Sequence, residues 1–304
     1  KVYIDLTGIT KKYAGNSPFR LGPVDLQAKA RYIVGLVGEN GNGKTTLLRI
    51  IAQDLTSTSG SIRYDIGYEG DSLYTLRSMM AYVPQRTAKW FGTLKDNLRF
   101  TLACHKFPAD EIEARMLMMI ARLGLWQYQD LKWKELSSGY KMRFELARVL
   151  LTRPKVLILD EPLANLDIFS QQIILEDIKN MAQANRHPMT VLLSSQQLYE
   201  VEKHSDEVIF LKQGKHKGTV NKKAQDSDNQ ACEIVIEIDC SNSREELMSA
   251  FAEYSPKIEY NGGMHIVHLK AASMKEVWKA LEQGNINALM VRDITKSTRR
   301  FFSQ

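Results

Sequence analysis

Short apolar runs alternate with stripes of helical period along the first two-thirds of the chain, which predicts strands and helices in turn. Val2-Tyr3-Ile4-Asp5-Leu6-Thr7 reads as a strand, followed by the basic stretch Thr10-Lys11-Lys12-Tyr13 and by glycine and proline punctuation through Pro23. Arg31-Tyr32-Ile33-Val34-Gly35-Leu36-Val37 is a continuous β-rich run, the pattern of a parallel strand buried on both faces. It leads into a glycine-rich turn and a helical segment over Thr45–Ile51, and residues 55–70, rich in Ser, Thr and Gly, read as turns. Helical spacing resumes from Lys95 to about Leu125, with Met116, Met119, Ile120 and Leu123 on one face as core positions. Helices are also predicted over Ser137–Leu151 and from Ser170 to about Asn185. Buried strands are predicted at Val156–Asp160, Val191–Ser194 and Val208–Leu211.

The pattern then breaks. Residues 212–230 are polar and turn-rich, and beyond them it restarts. Glu233–Ile238 alternates with period two, Arg244–Tyr254 is helical, and the weak strand Lys257–Tyr260 joins Met264–Leu269 through the turn Asn261-Gly262-Gly263. Met274–Leu281 is helical and Ala288–Val291 is short strand material. Strand, helix, hairpin, helix, strand is the split-βαβ, ferredoxin-like order. The expected organisation is a domain over 1–220, a linker over 221–231 and a small α+β domain over 232–304.

Composition narrows the class. With 304 residues, 44% hydrophobic and 25% charged, the chain is long enough for a real core and is neither disordered nor fibrous. No apolar run reaches the ~20 residues of a membrane-spanning helix. The start at Lys1 has no secretory pattern, and its lack of an initiator Met reads as a trimmed end. Cys104, Cys232 and Cys240 form neither a disulfide framework nor a CxxC pair, so a reducing, cytosolic setting is expected. The net charge of +6 selects no partner by itself.

The chemistry begins at Gly38-Glu39-Asn40-Gly41-Asn42-Gly43-Lys44-Thr45, which satisfies G-x-x-x-x-G-K-[ST] between a strand and a helix. Such glycines let backbone N–H groups point at phosphate oxygens, and the helix that follows adds the positive end of its dipole. Gly38, Asn40, Gly41, Gly43, Lys44, Thr45 and Thr46 are the candidate phosphate-binding residues, with Lys44 reaching the β- and γ-phosphates and Thr45 on Mg²⁺. Val156-Leu157-Ile158-Leu159-Asp160-Glu161 is a strand ending in two acids. Asp160 is the candidate metal-linked carboxylate, and Glu161 the group that orients an attacking water.

Between these motifs lies Leu136-Ser137-Ser138-Gly139-Tyr140-Lys141-Met142-Arg143, and here the chain resembles the ATP-binding subunits of ABC transporters. Their signature Leu-Ser-Gly-Gly-Gln opens a helix upstream of the acidic strand. Ser137 and Gly139 match it, while Ser138 and Tyr140 depart from it. The resemblance implies a P-loop α/β ATPase with a helical subdomain, binding ATP and Mg²⁺. It implies that Ser137 and Gly139 hold the γ-phosphate of a nucleotide bound by a second ATP-binding subunit. It further gives Tyr13 as the adenine-stacking aromatic and Gln85 as the glutamine that touches Mg²⁺ or water. Thr93–Leu98 resembles the start of the helical subdomain, and Ala164-Asn165-Leu166-Asp167 the loop that crosses to the second subunit.

One position departs from the family in its chemistry. Where members carry a switch histidine after a strand, this chain has Gln196, in Ser194-Ser195-Gln196-Gln197, and neither His187 nor His204 is close enough along the chain to replace it. A neutral amide can donate to phosphate but cannot carry a proton. The expectation is intact ATP binding with slow or partner-dependent hydrolysis.

The resemblance implies a protein at the inner face of the cell membrane, working with a separate polytopic membrane subunit, in a bacterial export-type system. A rival reading is a nucleotide-binding regulatory protein that closes on ATP without transport. An SMC-type DNA ATPase lacks support, because Lys44 and Asp160 are only 160 − 44 = 116 residues apart, too few for its coiled-coil insertion, and no nucleic acid partner is expected. His265 and His268 fall on opposite faces of one strand and make no metal pair. The basic, aromatic tail from Arg292 to Phe302 reads as a solvated end, with a partner or membrane-surface contact as the alternative.

Overall fold

A computed structural model of the chain describes residues 1–15, 17–67, 72–164, 166–184, 187–196, 198–221, 233–261, 263–270 and 272–295. Asn165, Gln197, Cys232, Gly262, the linker from 222 onward and the tail beyond Thr295 lie outside the described residues. Two compact units divide the chain, Lys1–His216 and Lys217–Gln304.

Strands β1 (Val2–Lys12), β2 (Arg20–Lys29) and β4 (Ser59–Tyr64) make an antiparallel sheet in the order β2-β1-β4. The second sheet runs β5-β6-β7-β3-β8-β9, from β5 (Met80–Val83) through β6 (Val156–Leu159), β7 (Thr190–Ser195), β3 (Ile33–Val37) and β8 (Glu207–Lys212) to β9 (Lys215–Asn221). Pairing from β5 across to β8 is parallel. Every residue of β3, β6 and β7 is buried, which is why these strands read as unbroken apolar runs. Helix α1 (Lys44–Ile51) leaves the end of β3 and buries Leu47, Leu48, Ile50 and Ile51 in a core shared by both sheets.

Helices α2 (Leu73–Ser78), α3 (Leu94–Cys104), α4 (Ala109–Arg122) and α5 (Ser138–Leu150) stand between β4 and β6, and α6 (Ile168–Ala182) and α7 (Leu198–His204) flank β7. Thr93 and Asp96 form a reciprocal capping box that starts α3. Met116, Met119, Ile120 and Leu123 are buried.

Four sequence expectations are corrected. Glycine and proline through Pro23 do not mark open turns, because Gly22 and Pro23 lie inside β2, where Leu21, Val24, Leu26 and Ala28 are buried. The supposed turns at 55–70 contain β4, whose Ser59, Gly60 and Ser61 are exposed and leave no alternation to read; pairing with β1 holds it. The stretch from 212 contains β9, a polar strand with buried Val220. The helical run from Lys95 is two helices, separated at His105–Pro108 where Lys106 takes a positive φ and proline follows.

The second unit has β10 (Glu233–Cys240), α8 (Arg244–Ala250), β11 (Lys257–Asn261), β12 (Met264–Lys270), α9 (Met274–Gln283) and β13 (Ala288–Asp293). Its sheet is antiparallel in the order β11-β12-β10-β13, the spatial arrangement of a split βαβ motif. Ser243 with Glu246, and Ser273 with Glu276, close capping boxes at the starts of α8 and α9. These bonds to Ser243 and Ser273 hold both glutamates below the usual carboxylate range. Ile236, Ile238, Leu247, Phe251, Val267 and Val277 fill a core of its own.

Candidate functional site

Three parallel strands end together on one side of the larger sheet. Val37 of β3 pairs with Ser195 of β7, and Leu159 of β6 with Leu193, so the turns after β3, β6 and β7 crowd one edge. Ligands of open α/β sheets bind at that edge.

The turn after β3 depends on glycine for two separate reasons. Gly41 (φ 78°) and Gly43 (φ 97°) occupy the left-handed region. At Gly38 a Cβ would sit 2.3 Å from the Leu211 carbonyl oxygen, and at Gly43 it would sit 2.8 Å from Leu21 Cδ1. Gly43 is also the N-cap of α1 and brings no side chain to the first N–H groups of that helix. An uncapped helix start with this dipole favours an anion. Asn42 is committed elsewhere, accepting the Gln213 N–H at 2.7 Å.

Lys44 is buried. Its ammonium donates to the carbonyls of Gly38 (2.6 Å) and Glu39 (3.1 Å) and lies 3.2 Å from Glu161 Oε1. Glu161 is equally buried, yet that oxygen accepts no aligned hydrogen bond. Its backbone takes φ 52°, a left-handed conformation that costs a residue with a side chain ~1–3 kcal/mol. Both strain and an unsatisfied buried oxygen are features of sites that bind or react.

Next to it, Asp160 Oδ1 accepts from Thr45 Oγ1 at 3.1 Å and from Ser194 Oγ at 2.7 Å. Ser194 Oγ also accepts the Glu161 N–H at 2.9 Å, so one hydroxyl fixes both acids. Tyr82 donates to Asp160 Oδ2 at 3.4 Å; burial, reinforced by that carboxylate, pushes its phenol above the usual range.

A cavity of about 370 Å³ opens onto Lys44, Thr45 and Glu161, within the ~300–1,000 Å³ of small-molecule sites, and Asp160 lies behind its lining. Asn40, Gly41, Gly43, Lys44, Thr45, Thr46, Gln85 and Glu161 line it, as do Tyr13 and Phe19 at 6.4 Å between ring centroids. The Tyr13 hydroxyl lies 3.1 Å from Thr46 Oγ1. Space beside Gly41 is open: a Cβ there would meet nothing within 4 Å. The residues fit a polyphosphate with a bound dication. Uncapped amides and an ammonium suit phosphate, and the Thr45–Asp160 pair offers hard oxygen donors. Among the described residues no group of three or more His, Cys, Asp or Glu is placed to hold a metal ion.

Other expected residues lie elsewhere. Ser137 caps α5, accepting the Tyr140 N–H at 3.4 Å, and Gly139 sits where a Cβ would be 3.3 Å from Ser170 Oγ. Neither lines the cavity, nor does Gln196, which is exposed just past β7. Asp167 caps α6 through Ser170, whose hydroxyl and N–H hold its carboxyl below the usual range. Sequence reading missed Ser194, Tyr82 and Phe19; a serine closing a buried apolar strand at its C-terminal end was the signal available for the first.

Residues 21–164 match the family described as ABC transporter. YdbJ of Bacillus subtilis, an uncharacterized ABC transporter ATP-binding protein, is 28% identical over 97% of this chain and 92% of its own length. The ABC transporter ATP-binding protein NatA of the same organism is 34% identical over 63% of this chain and 77% of its own. Among solved structures, cbiO1 of Clostridium perfringens, part of the ABC transporter complex cbiONQ, is similar with a TM-score of 0.66 and 26% identity. That likeness covers 76% of this chain and 93% of cbiO1.

Replacing Ser194 by Ala tests the local construction. It strands the buried Glu161 N–H and removes a donor from Asp160. We expect a loss of about 1–3 kcal/mol in urea unfolding. An unchanged midpoint would mean that the hydroxyl fixes neither acid.

Proposed function

The chain belongs to the ABC transporter family of ATP-binding proteins, and from that premise we propose that it is the ATP-hydrolysing subunit of a transporter, working on separate membrane subunits. The observation that carries this reading is the convergence of Lys44, Thr45 and Glu161 on one cavity, from the turns after β3 and β6, with Asp160 hydrogen-bonded to Thr45 behind its wall. The amides of the Gly38–Gly43 turn and the Lys44 ammonium bind the β- and γ-phosphates. Tyr13 offers its ring to the adenine. A bound Mg²⁺ neutralises charge on the phosphate oxygens, and Thr45, Asp160 and Gln85 are the residues that would hold it.

Glu161 is the general base. In this structure its carboxylate is paired with Lys44. A phosphate oxygen that draws the ammonium toward itself weakens that pair and leaves Glu161 to orient a water and accept its proton. Ser137 and Gly139 lie outside the cavity of their own chain. This supports a role toward the nucleotide of a second ATP-binding subunit, in a dimer that closes on two ATP molecules. Among the described residues no helix is long and apolar enough to cross a membrane. We assign the protein to the cytoplasmic face of the membrane, bound to a polytopic partner.

Glu161→Gln keeps the shape and removes the base. ATP binding should persist, hydrolysis should fall about 10²–10⁴-fold, and ATP should drive a stable dimer seen by light scattering. A variant that hydrolyses ATP like the parent would remove Glu161 from this role.

Gln196 supports slow hydrolysis, because a neutral amide offers less to developing charge than an imidazole that can protonate. Gln196→His should raise turnover about tenfold or more with little change in KM. Equal turnover would show that position 196 is not limiting. The exposed glutamine also favours a second reading, a regulatory protein that closes on ATP without transport, which gains if no membrane protein is extracted with the chain.

Export is the direction we assign, on the Leu136-Ser137-Ser138-Gly139 signature and the small second unit. Inverted vesicles carrying the complex should accumulate substrate when ATP is supplied outside. ATP-driven uptake in right-side-out vesicles would reverse the assignment.

A further inference from the structure

The phosphate-binding turn after β3 carries two left-handed glycines, Gly41 and Gly43, on either side of Asn42. Such a pair gives the backbone a freedom that it must lose when its amides close on an anion. Lys44 restrains the first half of the turn through the carbonyls of Gly38 and Glu39. The second half is held from outside the motif. Asn42 is 8% exposed, and its Oδ1 accepts the Gln213 N–H at 2.7 Å, from 171 residues along the chain. Gln213 and Gly214 join β8 to β9 with φ 51° and 75°, and positive φ at both central residues is the preferred form of a two-residue hairpin turn.

The hairpin is fixed in its own right. The Gly214 carbonyl accepts the Gly22 N–H of β2 at 2.7 Å, and a Cβ on Gly214 would lie 1.9 Å from the Arg20 carbonyl oxygen. Leu21 of β2, and Phe19 just before that strand, lead back to the phosphate turn. A Cβ on Gly43 would lie 2.8 Å from Leu21 Cδ1 and 2.9 Å from Phe19 Cζ. Phosphate turn, hairpin and β2 therefore brace one another in a closed ring. Most of its contacts are steric, and the Asn42–Gln213 bond gives it direction. We propose that Asn42 is a positioning residue that, anchored on the β8–β9 hairpin, holds the Gly41–Gly43 turn in its phosphate-binding form before nucleotide arrives. Gly214 acts at one remove, by placing the Gln213 N–H. The turn is then ordered by folding and not at the expense of binding, so the bond raises affinity and leaves the chemical step alone. This deepens the ATP-hydrolysing reading and rests on it.

The test compares the full chain with Asn42→Leu, which keeps the bulk and removes the acceptor, and with Gly214→Ala, which displaces the hairpin from outside the cavity lining. Calorimetry gives the Kd for ADP, steady-state kinetics give KM and kcat for ATP, and amide exchange is followed over residues 38–43. Without nucleotide, exchange there should be about fivefold or more faster in both variants, and saturating ADP should bring it within about twofold of the parent. Kd for ADP and KM for ATP should rise about tenfold, while kcat falls by no more than about twofold. A bond that served stability alone would leave the exchange difference in place with ADP bound, and that result would overturn the proposal. So would a Kd for Asn42→Leu within twofold of the parent, or a lower kcat at unchanged KM. Asn42→Leu decides the matter by itself if Gly214→Ala does not fold. A parent that binds no ADP would overturn the ATP-hydrolysing reading as well, whereas variants that match a binding parent overturn the brace alone.

Discussion

The ion pair between Lys44 and Glu161 holds two buried charges in a cavity wall, and the surrounding chain is arranged to make that tolerable. Each charge taken from water costs several kcal/mol unless its hydrogen-bonding capacity is met. Lys44 donates to two carbonyls of its own turn and faces the carboxylate at 3.2 Å. Those carbonyls face the ammonium because Gly38, Gly41 and Gly43 allow the turn to close on itself. Glu161 is provided for less well. It has the strained backbone and the oxygen without an aligned bond. The pair is therefore lopsided, with the cation hydrogen-bonded to its own turn and the carboxylate oxygen beside it lacking an aligned bond.

Burial decided which parts of this arrangement could be read from sequence. β3, β6 and β7 are covered on both faces, so their composition alone marks them. β4 and β9 bury few apolar side chains, Ile62 and Tyr64 against the core in one and Val220 in the other, and Ser59, Gly60 and Lys215 carry no strand signal. Spacing singled out Lys44, Thr45, Asp160 and Glu161, because the chemistry of phosphate requires particular residues at particular intervals. Ser194 and Tyr82 join Asp160 only through sheet order, with β5 and β7 on either side of β6. No local pattern encodes that adjacency. Asn42 and Gln213 are likewise 171 residues apart and meet through tertiary packing alone.

The two departures from the family pattern differ in kind. An anion at a helix start is recognised by backbone N–H groups, which a change of side chain leaves in place. Tyr140 is such a change. Its ring stacks on Tyr128 at 3.7 Å and 29°, with Arg143 over its face at 5.8 Å, and the hydrogen bond between the two hydroxyls raises the Tyr128 phenol above the usual range. The bulk is taken up by the chain's own aromatic turn, and the Tyr140 N–H still reaches the Ser137 cap. At Gln196 the side chain itself is what the family employs, and no backbone group can take over a proton or a positive charge. The chain thus departs from the family pattern at Tyr140 where backbone N–H groups are what an anion meets, and at Gln196 where a side chain is.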